Sequence, residues 1–263
     1  MPIRRGRLAP ILFNVALALK LRYSIRMITS AFDAVIYVPL YNGLIFLMDF
    51  VPWVDVGISV IIFTFIVKLA LFPISQKAVR TGLQMRTLEG ELAVLKERYK
   101  NDREAHAKAT MAFYKEKNIN PFSSVFLALI QIPIILGLYF IFYSGGLPEI
   151  KTELLYSFVS VPEVDMHFLG LIDITKGSAI LAILVAVSQY FQVRFSMPAM
   201  KPKVVGGSMK DDFARTLHLQ MRYFLPVMVG VIAYNISGAV SLYWITSNLF
   251  AIGQEIYVRR SFL

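Results

Sequence analysis

Residues 125–143 contain no charged side chain, and four other stretches of the chain come close to the same condition. Residues 56–73 carry one charge, Lys68, while residues 179–193, 223–236 and 239–254 carry none. An α-helix needs about 20 mostly apolar residues to cross a hydrocarbon core about 30 Å thick, because unpaired backbone groups are costly in lipid. Five such stretches in 263 residues are too many for one water-soluble core to hide. The composition agrees, with 57% hydrophobic and 17% charged residues and a mean hydropathy of +0.61. The third and fourth stretches are short for a span, a mismatch that bilayer thinning or interfacial flanking residues absorb.

Orientation follows from the positive residues of the connections. Residues 74–121 hold ten (Lys77, Arg80, Arg86, Lys96, Arg98, Lys100, Arg103, Lys108, Lys115 and Lys117), residues 194–222 hold six, and Arg259 and Arg260 close the chain. Residues 144–178 hold only two, against Glu149, Glu153, Glu163, Asp165 and Asp173. Spans that alternate, starting outside before residue 56, therefore place every basic connection and the C-terminus in the cytoplasm. The net charge of +10 is accounted for by these loops and carries no base-reading motif, so no specific nucleic-acid sequence is implied.

The organisation expected is a basic and apolar segment over 1–30, an outer interfacial helix over 31–52 and a first core span over 53–73. A cytoplasmic helical hairpin over 74–121 and a second span over 122–143 follow, then an extracytoplasmic loop over 144–178. A third span over 179–195, a cytoplasmic loop over 196–221 and two final spans with a short tail over 222–263 complete the chain. Arg4, Arg5 and Arg7 before an apolar run resemble a signal peptide, yet Lys20, Arg22 and Arg26 follow. Cleavage, a sixth span and an interfacial segment stay open there, a crossing being favoured. Asp33, Pro39, Asn42 and Gly43 interrupt the stretch from 32 to 48, which reads as a helix lying in the interface rather than a broken span. Leu83, Leu88, Leu92 and Leu95 at helical spacing, with Asn101-Asp102 as a turn, predict the hairpin. Pro198, Pro202 and Gly206-Gly207-Ser208 mark a flexible basic loop.

No cysteine is present, and His106, His167 and His218 lie far apart, so disulfides, thiolate chemistry, metal sites and a cofactor are not expected. No span holds a nucleophile beside a base, so no catalytic residue is assigned and an enzyme is not expected. What the spans do hold is polarity. Lys68 is a charge within an apolar span, about 8 Å from its cytoplasmic end, where the ammonium either snorkels to the interface or faces a polar interior. Thr64 shares its helical face, Gln131 lies in the second span, Ser188, Gln189 and Gln192 cluster in the third, and Ser241, Tyr243, Thr246, Ser247, Asn248 and Gln254 follow in the last. Lys68, Thr64, Gln131, Ser188, Gln192, Tyr243 and Ser247 are the candidate lining of a wet groove. No carboxylate within the five spans is available to pair with Lys68.

Several motifs carry a resemblance. These are Pro39-Leu40-Tyr41-Asn42, GISVIIFTFIVKLALFPIS over 57–75, Asn120-Pro121, LIQIPIILGLY over 129–139, Ser237-Gly238, Leu242-Tyr243-Trp244 and Ser247-Asn248. In this order and spacing the chain resembles the core of the YidC/Oxa/Alb family of membrane protein insertases, a bacterial YidC-like core. The resemblance implies an all-α polytopic membrane protein of five core spans with a cytoplasmic hairpin. It further implies a hydrophilic inner-leaflet groove open to cytoplasm and lipid, through which hydrophobic segments of nascent proteins move into the bilayer. Nascent membrane proteins and lipid would be its partners, with the ribosome and a Sec-type translocon as further ones, and the inner (plasma) membrane its location. In that family the groove's cation is commonly arginine; Lys68 keeps the charge but not the planar five-donor fork. No counterpart of the large extracytoplasmic domain of some relatives, nor of a long basic tail, is expected. The rival reading is a small solute transporter or channel, against which no internal repeat pairs two broken spans.

Overall fold

A computed structural model describes residues 27, 29–143, 147–197 and 209–262. The basic segment read over 1–30 falls outside the described residues except for its last few, as do the prolines and glycines between 198 and 208.

A turn of π-helix over Asp33–Tyr37 runs directly into α1 (Val38–Phe50), so that Thr29–Phe50 is one helix of 22 residues. The sequence reads Asp33, Pro39, Asn42 and Gly43 as interruptions; the helix is continuous, and by length and composition it could cross a membrane. Each supposed breaker has its place. Pro39 follows directly on the π turn inside the continuous helix and leaves one break in its backbone ladder, as spanning helices accommodate. Gly43 lets the Phe63 ring approach, since a Cβ there would stand 2.8 Å from it. Asn42 is buried with its amide fully engaged.

Helix α2 (Val56–Ala70) starts at Asp55, whose carboxylate accepts from the Ile58 N–H at 2.9 Å. At Leu71 the chain bends by 65° into α3 (Phe72–Thr87), because Pro73 tolerates only a first helical turn. Helix α4 (Glu89–Arg98) and α5 (Arg103–Glu116), the latter capped by Asp102 on the Ala105 N–H, pack on each other and are joined by Lys117–Glu91 at 3.2 Å. Helix α6 (Ser123–Tyr143) carries Pro133 in its interior, a break in the backbone ladder that spanning helices accommodate.

A connection containing the two-residue antiparallel strands β1 (His167–Phe168) and β2 (Ile172–Asp173) leads to α7 (Ala179–Ser196). Helix α8 (Met209–Leu219) passes through a π turn over Gln220–Phe224 into α9 (Leu225–Tyr234), giving a 20-residue apolar helix over Arg215–Tyr234, longer than the stretch free of charge. Helix α10 (Gly238–Phe262) closes the chain and packs on α7 and α2, with α9 against α7 and α3 against α6. Among the described residues, four helices are long and apolar enough to span a membrane, five if bent α2–α3 counts as one. The chain is an all-α polytopic membrane protein.

The main core lies where α1, α2, α6 and α10 meet the connection, around Tyr41, Ile45, Val60, Ile141, Ile174 and Leu242. The connection is fastened across this end by backbone groups. Val56 N donates to the Asp165 carbonyl at 3.0 Å, Gly238 N to Lys176 at 2.9 Å, and Leu169 N to the second Asp55 oxygen at 2.9 Å.

Candidate functional site

Three side chains join α2, α6 and α10 within the bundle. Lys68, in the last turn of α2, donates from Nζ to Gln131 Oε1 at 2.7 Å. The Gln131 amide in turn donates from Nε2 to the Tyr243 hydroxyl. The ammonium is therefore held by a neutral group, and among the described residues no carboxylate lies within ion-pair distance of it. Gln131 suits this place because an amide offers an acceptor to a cation and a donor to a phenol at once. It stands two residues before Pro133 and is the one polar side chain between Ser124 and Tyr139.

The other four predicted residues fall into two positions. Thr64 is buried one turn before Lys68, but its hydroxyl is spent on the Val60 carbonyl at 2.6 Å. Ser247 is buried one turn beyond Tyr243, beside its hydroxyl. Ser188 and Gln192 belong instead to the seam between α7 and α10. Ser188 donates to the Val185 carbonyl and accepts from Asn248 Nδ2 at 3.1 Å, while Gln192 bonds Ser196 Oγ and accepts from Gln189, each at 3.1 Å. The polar residues thus form two strips flanking α10, one towards Lys68 and one along α7, rather than a single cluster.

Residues the candidate set leaves out extend both strips. Gln254 donates to Ser75 Oγ at 2.7 Å, tying α10 to the first turn of α3. It repeats the face of Tyr243 and Ser247 at spacings of four and seven, a periodicity readable in the sequence. At the end of α7 the last carbonyls meet two guanidinium groups, Arg86 of α3 on Ser196 and Arg259 of α10 on Phe195. Those carbonyls have no partner within the helix, and the helix dipole adds to the attraction. Glu255, buried to 5% exposure, accepts from Arg259 Nε at 3.0 Å and completes the contact.

The opposite end is shut. Asn42 donates to the Leu154 carbonyl at 2.8 Å and accepts from the Tyr156 N–H at 2.6 Å, while Tyr41 accepts from Lys151 N at 2.7 Å. Ser237 donates to the Ile174 carbonyl at 2.6 Å. Among the described residues no three of His, Asp and Glu gather in a way that could hold a metal ion.

Comparison with known proteins gives one consistent result. The family model described as the 60Kd inner membrane protein matches residues 46–263. The membrane protein insertase YidC of Clostridium tetani is 29% identical over 210 residues, covering 80% of this chain and 84% of that protein. The YidC of Streptomyces avermitilis is 29% identical over 226 residues, and the inner membrane protein ALBINO3 of Arabidopsis thaliana chloroplasts 30% over 224. Both alignments cover 78% of this chain, but only 51% and 46% of those longer proteins.

Proposed function

Because it belongs to the 60Kd inner membrane protein family, the YidC/Oxa/Alb membrane protein insertases, we propose that this chain moves hydrophobic segments of nascent proteins into the bilayer along the polar strips beside α10. The observation that carries this reading is the Lys68 ammonium, held within the bundle by a neutral amide alone. A charge kept without a counter-ion can exchange a weak partner for a client's carboxylate or polar backbone, whereas an existing ion pair would resist that exchange. In this reading the hairpin end and the C-terminus face the cytoplasm, the fastened loop faces outside, and a hydrophilic client segment enters from the hairpin side only. The distance left to cross is then shorter than the full hydrocarbon core. Transfer of client apolar surface into lipid, about 0.8 kcal/mol per CH₂, drives the step and needs no covalent chemistry. Contacts in the groove serve best when weak, since each has to be released again.

The ribosome and a Sec-type translocon are the further partners this role admits. The test is site-specific photocrosslinking from positions 131 and 243 to a stalled nascent membrane protein. Adducts that appear while the client is partly inserted and vanish on release support the groove; adducts confined to lipid-facing positions refute it. Solute flux in liposomes holding only this protein would favour the transporter reading instead.

A further inference from the structure

A second concavity, of about 590 Å³, lies between α2, the start of α3 and α10. On α10 it is faced by Leu242, Thr246, Leu249 and Gly253, of which Leu242 and Thr246 stand one residue and so about 100° away from Tyr243 and Ser247. Its wall carries an aromatic ladder. Phe65 meets Phe250 edge-on at 5.4 Å between centroids, and Phe72 lies 6.0 Å from Tyr257. Phe65, Leu249 and Tyr257 are each at least half exposed, so the concavity opens sideways.

Two of its three polar side chains are satisfied within the bundle: Thr246 donates to the Leu242 carbonyl at 2.8 Å, and the Gln254 amide is taken by Ser75, which leaves the Tyr257 hydroxyl at the open rim. Such a wall offers water few partners for a volume equal to that of roughly twenty water molecules. The occupant is therefore apolar. Beyond Tyr257 the chemistry changes sign. Arg260 stands one turn further along the same face of α10, and Arg80 two turns beyond Phe72 on α3, both exposed. Helices α2 and α3 contain no acidic residue, and the one acid of α10, Glu255, is held by Arg259. An apolar slot with an aromatic rim and two free-standing cations matches an acyl chain joined to a phosphate.

We propose that this groove binds one anionic phospholipid, its acyl chain against Phe65 and Phe250 and its phosphate between Arg80 and Arg260. Gly253 supplies the test, because a Cβ added there meets nothing within 4 Å and a larger side chain fills the slot without displacing a helix. The full chain in detergent is titrated with dioleoyl phosphatidylglycerol or dioleoyl phosphatidylcholine and read by native mass spectrometry. One phosphatidylglycerol adduct is expected, favoured over phosphatidylcholine on the order of tenfold by two cations. Arg80→Gln with Arg260→Gln should equalise the two lipids, and Gly253→Leu should lower both adducts to background with helicity unchanged. Unaltered adducts in Gly253→Leu, or an undiminished lipid preference in the double variant, would overturn the site. So would a photocrosslinker at 253 that captures a nascent chain in place of lipid.

Discussion

Replacing Lys68 by methionine keeps the length and flexibility of the side chain and removes the charge, which makes the magnitude calculable. A client carboxylate about 4 Å from the ammonium gains about 4 kcal/mol at an effective dielectric of about 20. Taking it up gives away the Gln131 contact, a hydrogen bond to a charged group worth about 1.5–3 kcal/mol. The difference, about 1–2.5 kcal/mol, corresponds to about a 5- to 70-fold advantage for a client with one acidic residue in its hydrophilic segment. Protease protection of such a client in proteoliposomes measures it, with the Asp→Asn client as internal control. Lys68→Arg should retain the advantage. Lys68→Met should reduce insertion of the Asp client to the level of the Asn client while leaving the latter nearly unchanged. Equal insertion of both clients by the wild type and by Lys68→Met, or an equal loss for both, would refute the reasoning.

Asn42→Leu removes two hydrogen bonds to the loop and orphans the Leu154 carbonyl and the Tyr156 N–H. The loop should open more easily by about 2–4 kcal/mol, read as faster amide exchange at Tyr156. Deleting residues 84–115 removes the hairpin together with Arg86, and so one of the two guanidinium caps of α7. Insertion yield should fall while helicity and the retention volume on gel filtration follow only the lost residues; full activity would show the hairpin dispensable. The Thr175 hydroxyl and N–H hold the Asp173 carboxyl below the usual carboxylate range, and the His167 N–H does the same for Asp165. Their contribution to the loop is thus complete above the ordinary value near ~4 and is lost as pH falls through the depressed values. A spin label on Leu171→Cys, in a chain with no other cysteine, should gain mobility as the pH falls below about 4, and Asp165→Asn with Asp173→Asn should abolish that step.

The spans are legible in the sequence because a missing charge is a local property that each segment shows by itself. The pairings are not, because they depend on how helices are rotated against one another. Lys68 and Gln131 both stand out as polar residues in apolar helices, yet nothing within α2 or α6 says that Nζ and Oε1 meet. Asn42 is the sharper case. Judged on its own helix it is a breaker, and its partners at Leu154 and Tyr156 are more than a hundred residues away in the chain. Arg86 and Arg259 read as parts of a solvated hairpin and a short tail, since the carbonyls they meet belong to the end of a third helix.

The loop end and the interior of the bundle satisfy their polar groups by different means, and that difference is the link between fold and function. At the loop end, backbone meets backbone or a short fixed side chain, as in Val56 with Asp165, Gly238 with Lys176 and Asn42 with Tyr156. These contacts tie backbone groups of the connection to the rim of the core around Ile141 and Ile174, and losing one leaves a backbone group without its partner. Deeper in the bundle the contacts run through long side chains, Lys68 to Gln131 and Gln131 to Tyr243, with Ser247 beside them. Rotamer changes alone release these, and water or a client's polar groups can replace every one. In the proposed role, a bundle tied by backbone groups at its loop end and latched by side chains beside Lys68 yields towards the hairpin, the property an insertase needs if clients are to enter without opening a path for ions.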